Sequence, residues 1–425
     1  MRLPLNGVRI ADLTHAWAGP HCTTNLADLG AEVIKLEPPT GDMRRGFRVG
    51  GVMSGPFPGG EPGEKPWNRN IIFNIINRNK RSISLNLGTV KGNDIFKRIV
   101  KISDVVIENL RPGALSKYGV DYEVLKEVKP DIIVVHMSGY GHSGPWMHYR
   151  AFGVAIEPMC GFFSLTGYPG DSTPIRSGVD HLDPLCGAHA AGAILAALLH
   201  RHKTGKGQCI DLSYLESGAN FIGEALLEYT YNHRIRGFIG NRHPYRVPQG
   251  CYRCKGEDEW VVISVGSDED WKAFCQALGN PSLVEEERFA KPLNRLKHQD
   301  NLDQLIETWT SQHNKFEVMD ILQNKGIAAG AVLNMAEVYR NEQLRERGFL
   351  ETVTHPEAGI HECFGPRFKF SRAPLYVYCP APPFATDTDY VLGELLGISD
   401  EEIEQLVAQK VIFREPELMA EIESP

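Results

Sequence analysis

The chain reads as an α/β protein, and three observations predict that class. Short apolar runs alternate with helical stretches from residue 8 to residue 136, a pattern that favours a parallel sheet with helices on both faces. The helical stretches end at recognisable stops, such as Gly30 after residues 19–29. The chain is 425 residues long, enough for two domains and for a core that needs no disulfide or metal staple. In order, residues 8–13 form a strand, 19–29 a helix, 31–36 a strand and 81–87 an alternating strand. Residues 93–101 form a helix, 104–107 a strand, 122–128 a helix and 131–136 a strand. In such sheets ligands bind beyond the carboxyl ends of the strands, which directs attention to the loops after Leu13, Ile107 and His136.

Beyond residue 140 the signals are more varied. The glycine- and proline-rich stretch 49–67 is a surface loop, or else a flap over a site. Residues 188–200 form a helix rich in Ala and Gly that ends in basic residues and then Gly205 and Gly207. Residues 208–214 and 260–265 read as strands and 268–278 as a helix. The texture divides the chain into a large domain over 1–224, a small domain over 225–330 and a return to the large domain over 331–425. Helices over 387–412 close the chain.

Composition excludes several classes. The 45 Lys and Arg against 53 Asp and Glu give a net charge of −8, which argues against nucleic acid as a partner but leaves room for a local anion pocket. Nine cysteines without framework spacing predict reduced thiols and a cytoplasmic setting. The N-terminal residues lack the apolar core of a signal peptide. No run of about 18 apolar residues stands out, and 188–199 is too short and holds His189, so no membrane partner is expected.

Familiar motifs are mostly missing. Leu13 is followed by THAWAGP, not by the glycine fingerprint of a nicotinamide enzyme, and GxSxG is absent. Cys251 and Cys254 form a single CxxC with no second pair, so they read as ordinary thiols. His181 and Asp183 form an HxD that lacks further ligands, and no metal is expected. Asp171 in YPGDST and Asp183 in SGVDHLDPLCG lie in glycine-bearing turns. Each suits a turn or a helix cap, and Pro184 after Asp183 suits the first helical position. A helix N-terminus there would favour ionised Asp183.

Several ordered blocks then resemble one family. ADLTHAWAGP with LADLGAEVIKLEPPTGDMRR, NRNKRSISLNL, IENLRPGALSKYGVDYEVL, VVHMSGYGHSGP, SGVDHLDPLCG through IDLSYLES, and VLGELLGISDEEIEQL are similar to the successive blocks of family III CoA-transferases, over nearly the whole chain. The resemblance implies a Rossmann-like large domain, a small α+β domain and an interlocked homodimer, or a heteromer with a related subunit. It implies CoA and acyl-CoA as substrate, with a carboxylic acid as the other partner and neither metal nor nicotinamide. It places the nucleophile on Asp183, which as an ordinary carboxylate would be about a thousand to one ionised at pH 7 and need no general base. It places CoA contacts on His15, Ala16, Trp17, Ala18, on Leu85, Asn86, Leu87, Gly88, on Asn109, Leu110, Arg111, and on Lys117, Tyr118 and Arg150. It places the acyl group against Trp17, Tyr140, Phe152 and Gly153.

The chain departs from the formyl-CoA transferase pattern. Trp17 replaces a glutamine, Pro38 an arginine, Phe152 and Gly153 a Tyr-Glu pair, and residues 240–250 replace a tetraglycine loop. Polar groups give way to apolar ones, which favours an acid larger than formate or oxalate, extending to aromatic and benzylsuccinate-type acids. Two alternatives belong to the same resemblance. A 2-methylacyl-CoA racemase needs a proton-carrying His where Phe152 and Gly153 stand, and a non-catalytic CoA-binding subunit would not need Asp183.

Overall fold

The structure, a computed structural model, describes residues 2–49 and 52–417. Gly50 and Gly51 of the glycine- and proline-rich stretch therefore lie outside the described residues. The remainder of that stretch holds the paired strands Phe47–Val49 and Val52–Ser54 and two 3-10 turns, Pro58–Gly60 and Pro66–Asn68. The chain forms two compact units. The first comprises Met1–Phe162, Ser177–Thr230 and Arg345–Pro425, and the second Phe163–Arg176 and Tyr231–Leu344.

The first unit is built on six parallel strands. These are β1 (Arg9–Asp12), β2 (Glu32–Glu37), β3 (Lys80–Ser84), β4 (Val105–Glu108), β5 (Ile133–Ser138) and β6 (Gln208–Ser213). They lie side by side in the order β3-β2-β1-β4-β5-β6. The order reverses between β1 and β4. The chain leaves those two strands in opposite directions, and a crevice opens beyond their carboxyl ends.

Alternation along the strands divides the core into two layers, because successive side chains point to opposite faces. Ile10, Val33, Val105, Ile107, Ile133 and Val135 face one layer, with Cys22 and Leu26 of α1 (Ala18–Asp28). Ala11, Ile34, Ile83, Val106 and Val134 face the other, with Phe96 and Ile99 of α2 (Val90–Lys101) and Leu125 of α3 (Tyr122–Val128). β1, β2, β4 and β5 are buried on both faces, and every residue of α1 is buried.

Two further helices, α4 (Gly153–Met159) and α5 (Leu182–Thr204), pack into the α1 layer. The sequence predicts α5 from residue 188, but it begins six residues earlier. Pro184 does not stop it, since a residue in the first turn has no intrahelical acceptor for its N–H. At 23 residues α5 is, by length and composition, long enough to cross a bilayer, which the sequence reading had denied. In this fold Cys186, Ala190, Ile194 and Ala197 of α5 are buried in the α1 layer. A side chain at Gly187 would put its Cβ 2.7 Å from the Ala18 carbonyl oxygen, so the helices approach at backbone distance.

The last segment rejoins this unit. Asn79 Oδ1 accepts from the backbone N–H groups of Tyr378 and Cys379, and Arg81 pairs with Asp387 at 2.9 Å. The helix α6 (Asp400–Ala408) adds Ile403 and Leu406 to the α2 layer. The second unit has a three-stranded antiparallel sheet, Ala328–Ala331, Trp260–Ser264 and Gln249–Arg253. Its core gathers Trp271, Phe274, Phe289, Leu302 and Val318, contributed in part by the helices Asp268–Ala277, Gln299–Thr310 and Lys315–Gln323.

Candidate active site

The loop after β1 is held from below by buried charge. Asp12 accepts from the Thr14 amide at 2.9 Å and from the Thr23 hydroxyl at 2.6 Å, and Lys80 Nζ stands 3.4 Å from it. Lys35 Nζ, also fully buried, donates to the Thr14 carbonyl at 2.8 Å and lies 2.7 Å from Asp42. Above these anchors the chain turns sharply. Ala16 has a φ of 66°, a left-handed conformation that costs an L-residue about 1 kcal/mol or more and persists only where its surroundings enforce it. Trp17 follows as the N-cap position of α1.

The loops after β1 and β4 are joined across the crevice. Asn109 Oδ1 accepts from the His15 amide and its Nδ2 donates to the His15 carbonyl, both at 2.7 Å. Buried Tyr214 bonds to the same Asn109 side chain, and burial pushes its phenol well above the ordinary range. Burial holds the half-buried His15 imidazolium down, although Asp42 lies 3.9 Å away.

Asp183 sits in the first turn of α5 and is not its N-cap, which is His181. The capping role read for Asp183 falls to Glu157 of α4, whose Oε1 accepts from the His181 amide at 2.7 Å and the Leu182 amide at 3.4 Å. Among the described residues no hydrogen bond to the Asp183 carboxylate is found. Burial, then the charge of Asp180, push this carboxyl up to about 6; Glu157 adds to the rise and Arg44 opposes it. Whatever the helix N-terminus contributes toward the ionised form, burial and two like charges leave the carboxyl raised. At pH 7 the ratio is roughly ten to one, not a thousand. Gly153, at the start of α4, faces it directly, and a Cβ there would stand 3.4 Å from Asp183 Oδ1.

The remaining residues read from the sequence lie on loops at the carboxyl ends of the strands. Leu85, Asn86, Leu87 and Gly88 follow β3, and the Asn86 side chain accepts from the Gly88 amide at 3.0 Å. Leu110 and exposed Arg111 follow β4, with exposed Lys117 and Tyr118 one short helix further on. Tyr140, Phe152 and exposed Arg150 follow β5. Tyr140 packs edge-on against Trp146 and Tyr149, with ring centroids 6.0 Å apart in each case, and Phe152 is 65% exposed. Asp171 is an ordinary turn residue in the second unit, accepting from the Tyr168 amide at 3.0 Å. Cys251 and Cys254 are free, and burial raises both thiols.

Sequence reasoning missed Arg44, Glu157 and Tyr214. Glu157 interrupts an apolar helix, a signal that was available, whereas Arg44 and Tyr214 had none. It also missed a cluster of Glu108, His136 and His142, whose ligand-type atoms lie within 4.8 Å of one another. His136 Nδ1 is 2.5 Å from Glu108, and the two imidazoles stack at 4.3 Å with 23° between planes. Nearly parallel rings direct their nitrogen lone pairs side by side, which suits a metal poorly. Burial opposes charge on His136, but the hydrogen bonds it makes to Cys209 and Glu108 outweigh it and push the imidazole up to about 10. Glu108 and His136 thus form a close hydrogen-bonded pair that favours the charged imidazole.

Residues 5–388 match the model of CoA-transferase family III. The chain belongs to that family. It is 32% identical over 410 residues to the mouse (Mus musculus) succinyl-CoA:glutarate CoA-transferase, covering 96% of this chain and 90% of the relative. It is 35% identical over 349 residues to the acetyl-CoA:oxalate CoA-transferase of Acetobacter aceti, covering 82% and 85%. The solved structure of a CAIB/BAIF family protein from Brucella suis superimposes with a TM-score of 0.80 at 30% identity, covering 93% of this chain and all of that one. The family III chain is therefore a CoA-transferase acting on acyl-CoA and carboxylate, with the mixed α/β architecture and parallel central sheet of its relatives.

Proposed function

We propose that the chain moves CoA from an acyl-CoA donor to a carboxylic acid through an aspartyl-CoA thioester on Asp183. The observation that supports this most is the carboxylate itself: mostly buried, without a hydrogen bond among the described residues, and faced by a residue with no side chain. Such a carboxylate is more basic than an exposed one, yet still mostly ionised at pH 7, so it attacks without a general base.

The steps balance without nucleotide hydrolysis. An Asp183 oxygen attacks the donor thioester carbonyl, the C–S bond breaks and CoA thiolate leaves. The thiolate then attacks the Asp183 carbonyl of the mixed anhydride, giving aspartyl-CoA and the free donor acid. The acceptor carboxylate attacks aspartyl-CoA and expels thiolate, which attacks the acceptor's acyl carbon and releases Asp183. The CoA would lie across the β1–β4 crevice, over the His15 to Ala18 turn and the loops bearing Asn109, Arg111, Lys117 and Arg150. Charge-assisted bonds from the three basic residues suit its phosphates.

The acid is read as larger than formate or oxalate, and as including diacids. The relatives named above act on glutarate and oxalate, each with two carboxylates. Gly153 keeps a side chain away from the nucleophile, and Phe152 and the Tyr140 ring cluster offer apolar surface for aromatic substituents. Nine free cysteines fit a cytoplasmic setting.

Intact-mass analysis tests the intermediate. Incubation with succinyl-CoA or acetyl-CoA should add the mass of CoA to the peptide carrying Asp183, and hydroxylamine should discharge it. Turnover with no such adduct under quench would remove the mechanism. Deuterium entering the α-carbon of a single-enantiomer 2-methylacyl-CoA would instead indicate the racemase.

The interlocked dimer is proposed on the exposed apolar residues of the first unit, Leu195 and Leu199 on α5 and Leu226, Leu227 and Tyr229 on helix Gly223–Asn232. Such a cluster on a helix suits a partner surface. Sedimentation should give twice the chain mass, and a monomer at micromolar concentration would overturn the dimer.

A further inference from the structure

Arg44 occupies a turn, Met43–Arg45, whose neighbours are fixed by buried ion pairs. Asp42 caps the turn, accepting from the Arg44 amide at 2.8 Å, and lies 2.7 Å from Lys35. Arg45 pairs with Glu37 through two bonds of 2.6 and 2.7 Å and sits over Phe73 at 3.8 Å. The Arg44 guanidinium is left unused by this framework. It lies over the Trp17 ring, 5.8 Å from its centroid, and its Nε is buried with no hydrogen-bond partner. Among the described residues it forms no ion pair, in a chain with a net negative charge.

The position of this free cation is informative. Trp17 leads into Ala18, whose carbonyl meets α5 at Gly187, one turn beyond Asp183. Arg44, Trp17 and Asp183 therefore border the same end of the crevice, and the Arg44 charge is felt at the Asp183 carboxyl. An acid that reacts at Asp183 engages that residue with one carboxylate. A planar guanidinium held nearby with free donors matches a second carboxylate, the geometry for which arginine is best suited.

We propose that Arg44 anchors the second carboxylate of a dicarboxylic substrate while its other carboxylate reacts at Asp183. The proposal rests on the reading of Asp183 as nucleophile. It makes Arg44 the residue that separates diacids from monoacids.

The test compares glutarate with valerate as acceptors, using acetyl-CoA as donor because its acyl group has no second carboxylate. The wild type should prefer glutarate. In Arg44→Gln the ratio of kcat/KM for glutarate to that for valerate should fall about 10- to 100-fold, the size expected for hydrogen bonds to a charged group. Most of the change should appear in the KM for glutarate, and Arg44→Lys should restore part of the ratio. A wild type without diacid preference, or equal losses on both acids, overturns the proposal. So does a rise confined to the KM for acetyl-CoA, which would make Arg44 an anchor for CoA phosphates. Failure of the nucleophile is distinguishable, since it appears as a wild type that turns over without forming the aspartyl-CoA adduct.

Discussion

Asp183→Asn should lose at least about a thousandfold in turnover while still binding CoA, because removing a covalent nucleophile removes the reaction path and not one contact within it. Asp183→Ala should behave alike, so that an effect of the amide is separated from loss of the carboxylate. Binding of CoA, followed by calorimetry, should change little, since the groups assigned to its nucleotide end lie on other loops. Near-normal turnover in both variants would dismiss Asp183. The wild type carries a second signature. Burial, with Asp180 and Glu157, raises the carboxyl to about 6, and the reactive form is the ionised one. Turnover should therefore rise with pH through that value and level off above about 7. An ordinary exposed aspartate would already be at its plateau at pH 5. A profile flat from pH 5 to 8, with chemistry rate-limiting, would show that the carboxyl is not raised in the working enzyme.

Arg44 and Asp183 show where sequence is informative and where it stops. The strands lie within two or three residues of their sequence-based ends, because a run such as IIVVH can be buried on both faces only in a covered sheet. The start of α5 was misplaced because its cap comes from Glu157, a long-range contact that no local pattern encodes. Burial of Asp183 and its closeness to Asp180, with a smaller push from Glu157, raise its carboxyl, and these depend on the fold as well. Asn109 was found by block matching, but its reciprocal bond to His15 emerges only when β1 and β4 become neighbours. Arg44 and Arg45 are adjacent and identical in sequence. Arg45 of that doublet is buried on Glu37 and Arg44 remains free, a division of roles between adjacent identical residues that is visible only in three dimensions.

The buried ions beneath the site carry the second large prediction. Lys35→Met should destabilise the first unit by about 3–5 kcal/mol, the cost of removing one partner of a buried pair. Burial works against the Lys35 ammonium, but Asp42, Asp12 and Glu37 outweigh it and raise it above its usual range. Its loss leaves Asp42 uncompensated and frees the Thr14 carbonyl, so the His15 to Ala18 turn and the Arg44 turn both lose their support. Adding Asp42→Asn, which removes the stranded charge but keeps an oxygen for the Arg44 amide, should recover part of the loss. Acid unfolding gives an independent check. Burial raises the Asp42 carboxyl, but Lys35 and His15 outweigh it and hold it at about 2. A depressed folded value contributes stability above the unfolded value near 4 and loses it as pH falls from 4 to 2. Lys35→Met should therefore be less stable than wild type at pH 7, with the gap narrowing across that window. Denaturant midpoints at pH 7 and 3 measure this, and an unchanged midpoint at pH 7 would mean that the lysine does not hold the loop on which the proposed chemistry depends.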